Sequence, residues 1–418
     1  MIFERFKRLI LMLAAIPALF GANGDHSREI PASSHGSPYL FVWAGELNVS
    51  ALKGQSQNAL RGKDFLAVLD VDPNQARYGS LVAMLSVEDP ARMPHHTNYE
   101  MPQNHILFAN DFDLHKTFVF DLHDPKNPKL AGTFTEAAGF SHPHSFAALP
   151  NGNTLATFQQ KGLEDAAAGG LVELNAKGEL VRTAEAADPD ADKFIRPYSL
   201  QVVPALDRVV STSTDMYLKG SSHIIQVWRL SDLKLLKTIV LPHDEYNPAV
   251  GENSSEPRLL SDGRTVLVGT FNCGLYRLDG LEGTQPSASP IYDFGGRWCA
   301  VPVVAGHYWV EALQSSHSLV SLDISDPSHP KEVGRLVLGP KDLPHWLSLE
   351  PNGDRIVISG YGDLYYRLLI AQIDPSTGGL MLDERFRENN KEPGFKMERA
   401  WPDGWRGPAI PHGAVFSR

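Results

Sequence analysis

The 418-residue chain is 42% hydrophobic and carries 35 glycines and 30 prolines, enough apolar content for a large core and enough turn residues to interrupt it often. Its net charge of −11, with no basic stripe, argues against a nucleic-acid partner, because no run of Lys and Arg is present to displace counterions from phosphates. After the first residues, no stretch is long and apolar enough to span a bilayer.

Lys7 and Arg8 precede an apolar run, Leu9 to Phe20, and Gly21, Ala22 and Gly24 follow. A charged start, a short apolar core and a small-residue exit read as a signal peptide over 1–24. The alternative is a retained N-terminal anchor. The signal reading makes the protein periplasmic or secreted, with no stable membrane insertion once the segment is removed. Residues 25–418 are then expected to form a single domain.

Strand signals dominate after residue 38. Tyr39-Leu-Phe-Val-Trp, Phe65-Leu-Ala-Val-Leu-Asp, His105-Ile-Leu-Phe-Ala and Thr117-Phe-Val-Phe-Asp are short β-rich runs. Ile224-Ile-Gln-Val-Trp, Val266-Leu-Val-Gly-Thr, Leu319-Val-Ser-Leu-Asp and Arg355-Ile-Val-Ile-Ser continue the pattern. Gly, Pro, Asn and Asp punctuate them. One short helix is expected over 162–168, and the acidic stretch 184–193 reads as an exposed loop. Cys273 and Cys299 are the only cysteines. They permit one disulfide in an oxidising compartment; two buried thiols are the other reading.

Six segments begin alike, at Pro94, Pro143, Pro197, Pro257, Pro344 and Pro411. In most of them a proline and a variable residue lead into a strand, an NG or DG turn and a second strand. The widest interval, 257 to 344, has room for one more unit, whose inner strands would come from Cys299 to Glu311. A second phrase also repeats: FDLHDPKNPKLAGTF (120–134) and LDISDPSHPKEVGRL (322–336), the outer half of a blade. Repeats of this length, all β, predict an all-β, seven-bladed β-propeller. The strands at 39–70 would complete the last blade beside Ala414-Val-Phe.

A repeated unit places equivalent residues at equivalent positions around an axis. The position after the proline is His95, His144, His345 and His412 in four units, Tyr198 in the third and Arg258 in the fourth. Four imidazoles in one repeat slot predict a metal in the central channel, since imidazole suits copper, iron, zinc and nickel. His96 and His142 are neighbours that either replace a ligand or orient one. Tyr198 and Arg258 would orient an anionic or oxygen-bearing group. Glu256, just before the fourth proline, is a candidate base or hydrogen-bond acceptor, and Trp346 a candidate cavity wall. His26, His35, His115, His123 and His329 read as solvated.

The segments DFLAVLDVDPNQARYGSLVAMLSVEDPARMPHH (64–96), LDISDPSHPKEVGRLVLG (322–339), LSLEPNGDRIVIS (347–359) and IDPSTGGLMLDERF (373–386) resemble, in this order, the selenium-binding protein family, which includes methanethiol oxidases. The resemblance implies a seven-bladed propeller with a histidine-bound copper. It implies oxidation of methanethiol by dioxygen and water to formaldehyde, hydrogen sulfide and hydrogen peroxide. The family's metal histidines match His95, His96, His144 and His412. His345 is a departure from animal members, and serves here as a fifth ligand or a proton-transfer group. The cysteines that follow the paired histidines in animal members are replaced by Thr97-Asn98-Tyr99-Glu100. The leading expectation is therefore a copper oxidase of a small thiol. A non-haem iron oxygenase on the same four-histidine geometry is an alternative, as is a metal-binding scaffold propeller without turnover. Metal, substrate and oligomeric state are not readable from the residues alone.

Overall fold

The computed structural model describes residues 37–45, 63–90, 93–162, 167–191, 195–216, 222–242, 249–351, 353–360, 366–388 and 392–418. The signal-like segment 1–24, His26, His35 and His243 lie outside the described residues.

Because each β-rich run ends in a turn, successive strands pair antiparallel, and seven sheets of four or five strands result. In chain order the first six blades take their innermost strands from Pro94–Thr97, Phe140–Ala148, Pro197–Val203, Ser254–Leu259, Val303–Ala305 and Pro344–Leu349. The seventh blade is composite. The C-terminal strand Ile410–Phe416 lies innermost and pairs with Tyr39–Gly45, Val42 opposite Ala414 and Phe41 opposite Val415. Lys63–Asp70 and Ser80–Pro90 complete it. Innermost strands of neighbouring blades touch all the way round, which closes a seven-bladed β-propeller. Both repeat phrases fall where expected: the DPxxPK turns lead into the outermost strands Lys129–Phe134 and Lys331–Val337.

Burial follows radius. Inner and middle strands such as Tyr39–Gly45, Thr154–Lys161 and Arg355–Gly360 are buried along almost their whole length, since blades pack against both of their faces. This is why they read as continuous apolar runs rather than alternating ones. Outermost strands such as Lys129–Phe134 and Lys331–Val337 are largely exposed and each opens on a lysine, which discourages edge-to-edge pairing.

One irregularity recurs and positions the site. Six innermost strands carry a register shift just past the start of the repeat. Pro143 faces Phe158 while Phe146 faces Ala156; Pro197 faces Ser213 while Leu200 faces Ser211; Pro411 faces Ala44 while Ala414 faces Val42. Pro94, Ser254 and Pro344 begin the same shift. A bulge sets an extra residue on one strand and breaks the strict two-residue alternation of side chains. Two consecutive residues per blade are thereby freed to face the axis.

The register corrects one reading. In the fourth blade Ser254, facing Thr270, is the equivalent of the repeat's proline, and Pro257 lies three residues beyond it. The slot is Ser255, not Arg258. Interblade hydrogen bonds agree: Thr157 Oγ1 donates to the Tyr198 carbonyl, Thr212 Oγ1 to that of Ser255 and Ser359 Oγ to that of His412. In the fifth blade Cys299, facing Leu313, takes the proline's place and Ala300 the slot.

Two smaller expectations differ, and of the two readings of the cysteines the disulfide is the one found. Ala168 begins the strand Ala168–Leu174 rather than ending a helix, and 163–166 lie outside the described residues. Ala184 and Glu185 end a strand before the acidic stretch turns out to solvent. Cys273 and Cys299 are bonded, with Cα atoms 5.0 Å apart, and join the fourth blade to the first residues of the fifth.

Candidate metal centre

With the register established, the seven slot residues are His95, His144, Tyr198, Ser255, Ala300, His345 and His412. The residues that follow them are His96, Ser145, Ser199, Glu256, Val301, Trp346 and Gly413. Each set forms a layer around the axis. Gly413 is required by close approach, since a β-carbon there would lie 2.7 Å from the Thr97 side chain.

The five predicted ligands converge. Ring centroids lie 4.3 Å apart for His95 and His96, 4.7 Å for His95 and His144, and 4.1 Å for His95 and His412. His96 and His144 are 4.2 Å apart, and His345 and His412 are 4.6 Å apart. One nitrogen each from His95, His96 and His412 lies within 4.8 Å of the others. All five residues are buried.

Burial and crowding keep these rings neutral. Desolvation lowers the His144 pKa to about 3, with the Tyr198 carbonyl opposing the shift, and lowers that of His345 to about 4. His95, His96 and His412 fall well below the usual imidazole value, first through burial and then through the neighbouring imidazoles. Neutral imidazole is the ligating form.

Hydrogen bonds orient the rings. His144 Nδ1 lies 2.7 Å from the Tyr198 carbonyl oxygen. A carbonyl only accepts, so Nδ1 carries the proton and Nε2 keeps a lone pair. His96 Nδ1 lies 2.8 Å from Ser145 Oγ. His345 Nδ1 meets the Gln314 amide at 2.9 Å. Nε2 of His96 and Nε2 of His144 are buried with no hydrogen-bond partner among the described residues. Buried polar atoms left this way are uncommon, and a cation is what an imidazole lone pair would satisfy. The residues present therefore fit a metal held by nitrogen alone, a donor set suited to borderline transition metals.

A methanethiol oxidase from Hyphomicrobium sp. is 34% identical over 361 residues, 78% of this chain and 76% of its own length. The chain belongs to the selenium-binding protein and methanethiol oxidase family. No family model matches it. Solved structures agree on the fold. A selenium-binding protein from Sulfolobus tokodaii superposes with a TM-score of 0.70 at 14% identity, covering 92% of this chain and 95% of its own. A periplasmic gluconolactonase from Pseudomonas aeruginosa superposes at 0.59 and 12% identity, covering 91% and 99%.

Within this methanethiol oxidase family member, the remaining predicted residues separate. Tyr198 stands in the slot layer with its ring 3.9 Å from that of His144. Glu256 lies in the layer beneath, bonded to Tyr99, Ser199 and Arg258. Arg258 does not occupy the slot. Its Nη1 donates to Glu256 at 2.8 Å, its Nε donates to the Pro302 carbonyl, and its guanidinium sits 4.1 Å from the Tyr99 ring centroid. Trp346 does wall the site, edge-on to His96 at 5.0 Å, with its Nε1 donating to the Ala414 carbonyl. His142 stands apart from the cluster. It packs on His115 at 3.4 Å, with Phe112 lying 5.8 Å from its ring and 5.9 Å from that of His144. His115 is thus half-buried rather than solvated, whereas His123 and His329 are exposed as expected.

Sequence reasoning missed Tyr99, Ser145, Ser199 and Phe112. Ser145 and Ser199 carried a signal, since each follows a slot residue. Tyr99 carried none: it reaches the axis from the turn after a four-residue strand. Glu311 was also missed. It is buried, accepts from Trp309 Nε1 at 2.9 Å, and burial pushes its pKa up to about 8.

Proposed function

We propose that this protein is a copper-dependent oxidase of a small thiol, with methanethiol as substrate, working in the periplasm or outside the cell. By family it is an oxidoreductase. The observation that carries the reading is the convergence of five buried, neutral imidazoles, two of which present unclaimed Nε2 lone pairs at the axis. His95, His96, His144 and His412 are the ligands in this reading, and His345 closes the set from the sixth blade. Bound copper supplies one-electron exchange between thiolate sulfur and dioxygen.

The protein's own contribution is to hold and enclose. Tyr198, Phe112 and Trp346 surround the imidazoles with aromatic surface and keep bulk water from them. The overall reaction balances as methanethiol, dioxygen and water giving formaldehyde, hydrogen sulfide and hydrogen peroxide. Dioxygen takes two electrons and two protons, and the oxygen of water ends in formaldehyde.

Two features support an exported protein: the charged-then-apolar start over 1–24, and the Cys273–Cys299 disulfide, a bond that persists in oxidising compartments. Elemental analysis of protein purified from its native compartment, with sulfide and peroxide assays on methanethiol, tests the reading. We expect about one copper per chain and both products. Iron in its place overturns the copper assignment; copper-loaded protein that leaves methanethiol unconsumed overturns the substrate.

A further inference from the structure

We infer that Glu256, acting through Tyr99 and Ser145, decides which ring nitrogen of His96 carries the proton, and so which nitrogen is left to bind metal. The inference rests on the metal site proposed above.

The argument is one of hydrogen-bond direction. Tyr99 has one proton, and its hydroxyl oxygen lies 3.0 Å from Ser145 Oγ, 2.9 Å from Ser199 Oγ and 3.0 Å from Glu256 Oε1. An ionised carboxylate accepts and never donates. Both Glu256 oxygens face donors: Tyr99 on Oε1, and Ser199 at 2.7 Å and Arg258 Nη1 at 2.8 Å on Oε2. Burial raises the pKa of this carboxyl, and Arg258, in contact with it, opposes the shift and favours the charged form. With Glu256 paired to Arg258 as a carboxylate, Tyr99 gives its proton to Glu256 and has only lone pairs to offer Ser145. Ser145 gives its proton to Tyr99 and has only lone pairs left for the imidazoles.

Two ring nitrogens meet those lone pairs, His96 Nδ1 at 2.8 Å and His144 Nδ1 at 3.0 Å. Both must be protonated there, and both rings then keep the Nε2 lone pair. An independent observation agrees: Nε2 of His96 and Nε2 of His144 are both buried and without a hydrogen-bond partner among the described residues. The two rings differ in one respect. His144 Nδ1 also faces the Tyr198 carbonyl, which imposes the same tautomer by itself. His96 Nδ1 instead meets two members of the same network, Ser145 Oγ at 2.8 Å and the Tyr99 hydroxyl at 3.4 Å, and both answer to Glu256. Glu256 is thus a positioning residue for one ligand, and His144 is an internal control.

The arrangement has its own support. Tyr99 is held between Trp346, stacked at 5.0 Å, and the Arg258 guanidinium, so its hydroxyl is aimed rather than free to swing. Ser145, Ser199 and Glu256 are fully buried, so water does not compete for their bonds.

The test is nitrogen-15 NMR of histidine-labelled, metal-free, full-length protein, with signals assigned through His96→Gln and His144→Gln. In the unmodified protein both rings are expected in the Nδ1–H form. In Tyr99→Phe the acceptor for the Ser145 proton is gone. In Glu256→Gln the new amide N–H lets the chain run backwards. Both variants are expected to populate the Nε2–H form of His96 and leave His144 unchanged. Copper affinity, measured by chelator competition, should fall roughly 10–100-fold, the usual cost of losing a partner that orients a ligand. An unchanged His96 in both variants overturns the inference, and so does an equal change at His144, which would mean general loosening. Because the NMR is read without metal, absence of copper from the native protein would defeat the proposed function and leave this result standing.

Discussion

In the slot layer, four blades in succession around the ring, the sixth, seventh, first and second, present His345, His412, His95 and His144, and the other three present Tyr198, Ser255 and Ala300. One residue further along the same strands, the chemistry is inverted. The histidine side contributes Trp346, Gly413, a single imidazole, His96, and Ser145, and the third and fourth blades continue the hydrogen-bonding groups with Ser199 and Glu256, the latter paired with Arg258. The backbone differs little between the layers, because one bulge in each of six blades produces both. A propeller therefore offers two stacked rings of positions. Here the upper ring and His96 supply lone pairs, and the rest of the lower ring supplies donors and acceptors that fix where protons sit.

Removing a slot imidazole breaks the comparison hardest. His144→Ala should take bound copper from about one per chain to near zero by elemental analysis, and thiol oxidation with it.

Acid separates the layers next. The slot imidazoles have folded pKa values below their unfolded value of about 6.5, so the unfolded chain binds the extra protons. Their contribution is fully present above pH 6.5 and is lost as pH falls toward about 3 for His144 and about 4 for His345. Each costs up to ~1.4 kcal/mol per pH unit within its window. The melting temperature of the metal-free protein should therefore fall steeply below pH 6.5.

Glu311 carries the opposite sign. Its folded pKa is raised to about 8, so its contribution is fully present below the unfolded value and is lost as pH rises toward 8. Glu311→Gln keeps the shape and the Trp309 bond and removes the titration. The variant should melt higher than the parent at pH 9, by on the order of a few kcal/mol in stability, and close to it at pH 5.

The disulfide tests the blade whose slot holds only Ala300. Cys299 takes the place that a proline holds in five other blades, and it is tied to Cys273. Cys299→Ser, or reduction, should cost about 3–4 kcal/mol in chemical denaturation, the chain-entropy value for a loop of this size. The smallest effect is expected at Ser255→Ala, in the same slot as His144. Copper content should stay near one per chain, and the contrast with His144→Ala would locate the metal on one half of the ring.

Much of the fold was legible because turns and β-rich runs are local. The NG and DG turns marked hairpins, and the apolar runs at 39–70 and 414–416 announced a shared last blade. The histidines were legible because four units place them directly after a proline. The fourth unit misled for the same reason. Its proline sits three residues past the bulge, so reading from the proline put Arg258 where Ser255 belongs, and only strand pairing shows the offset. Tyr99 left no trace, since its role depends on which groups three other blades bring to its hydroxyl.

The sequence by itself determined the repeat, the number of blades and the identity of the imidazoles, because periodicity and turn chemistry act over a few residues. Only the tertiary structure decided which residues share a layer, that Cys273 and Cys299 meet, and in which direction the hydrogen bonds run from His96 to Glu256. Those depend on closure of the ring, which brings side chains from distant blades within hydrogen-bond distance in a space without water.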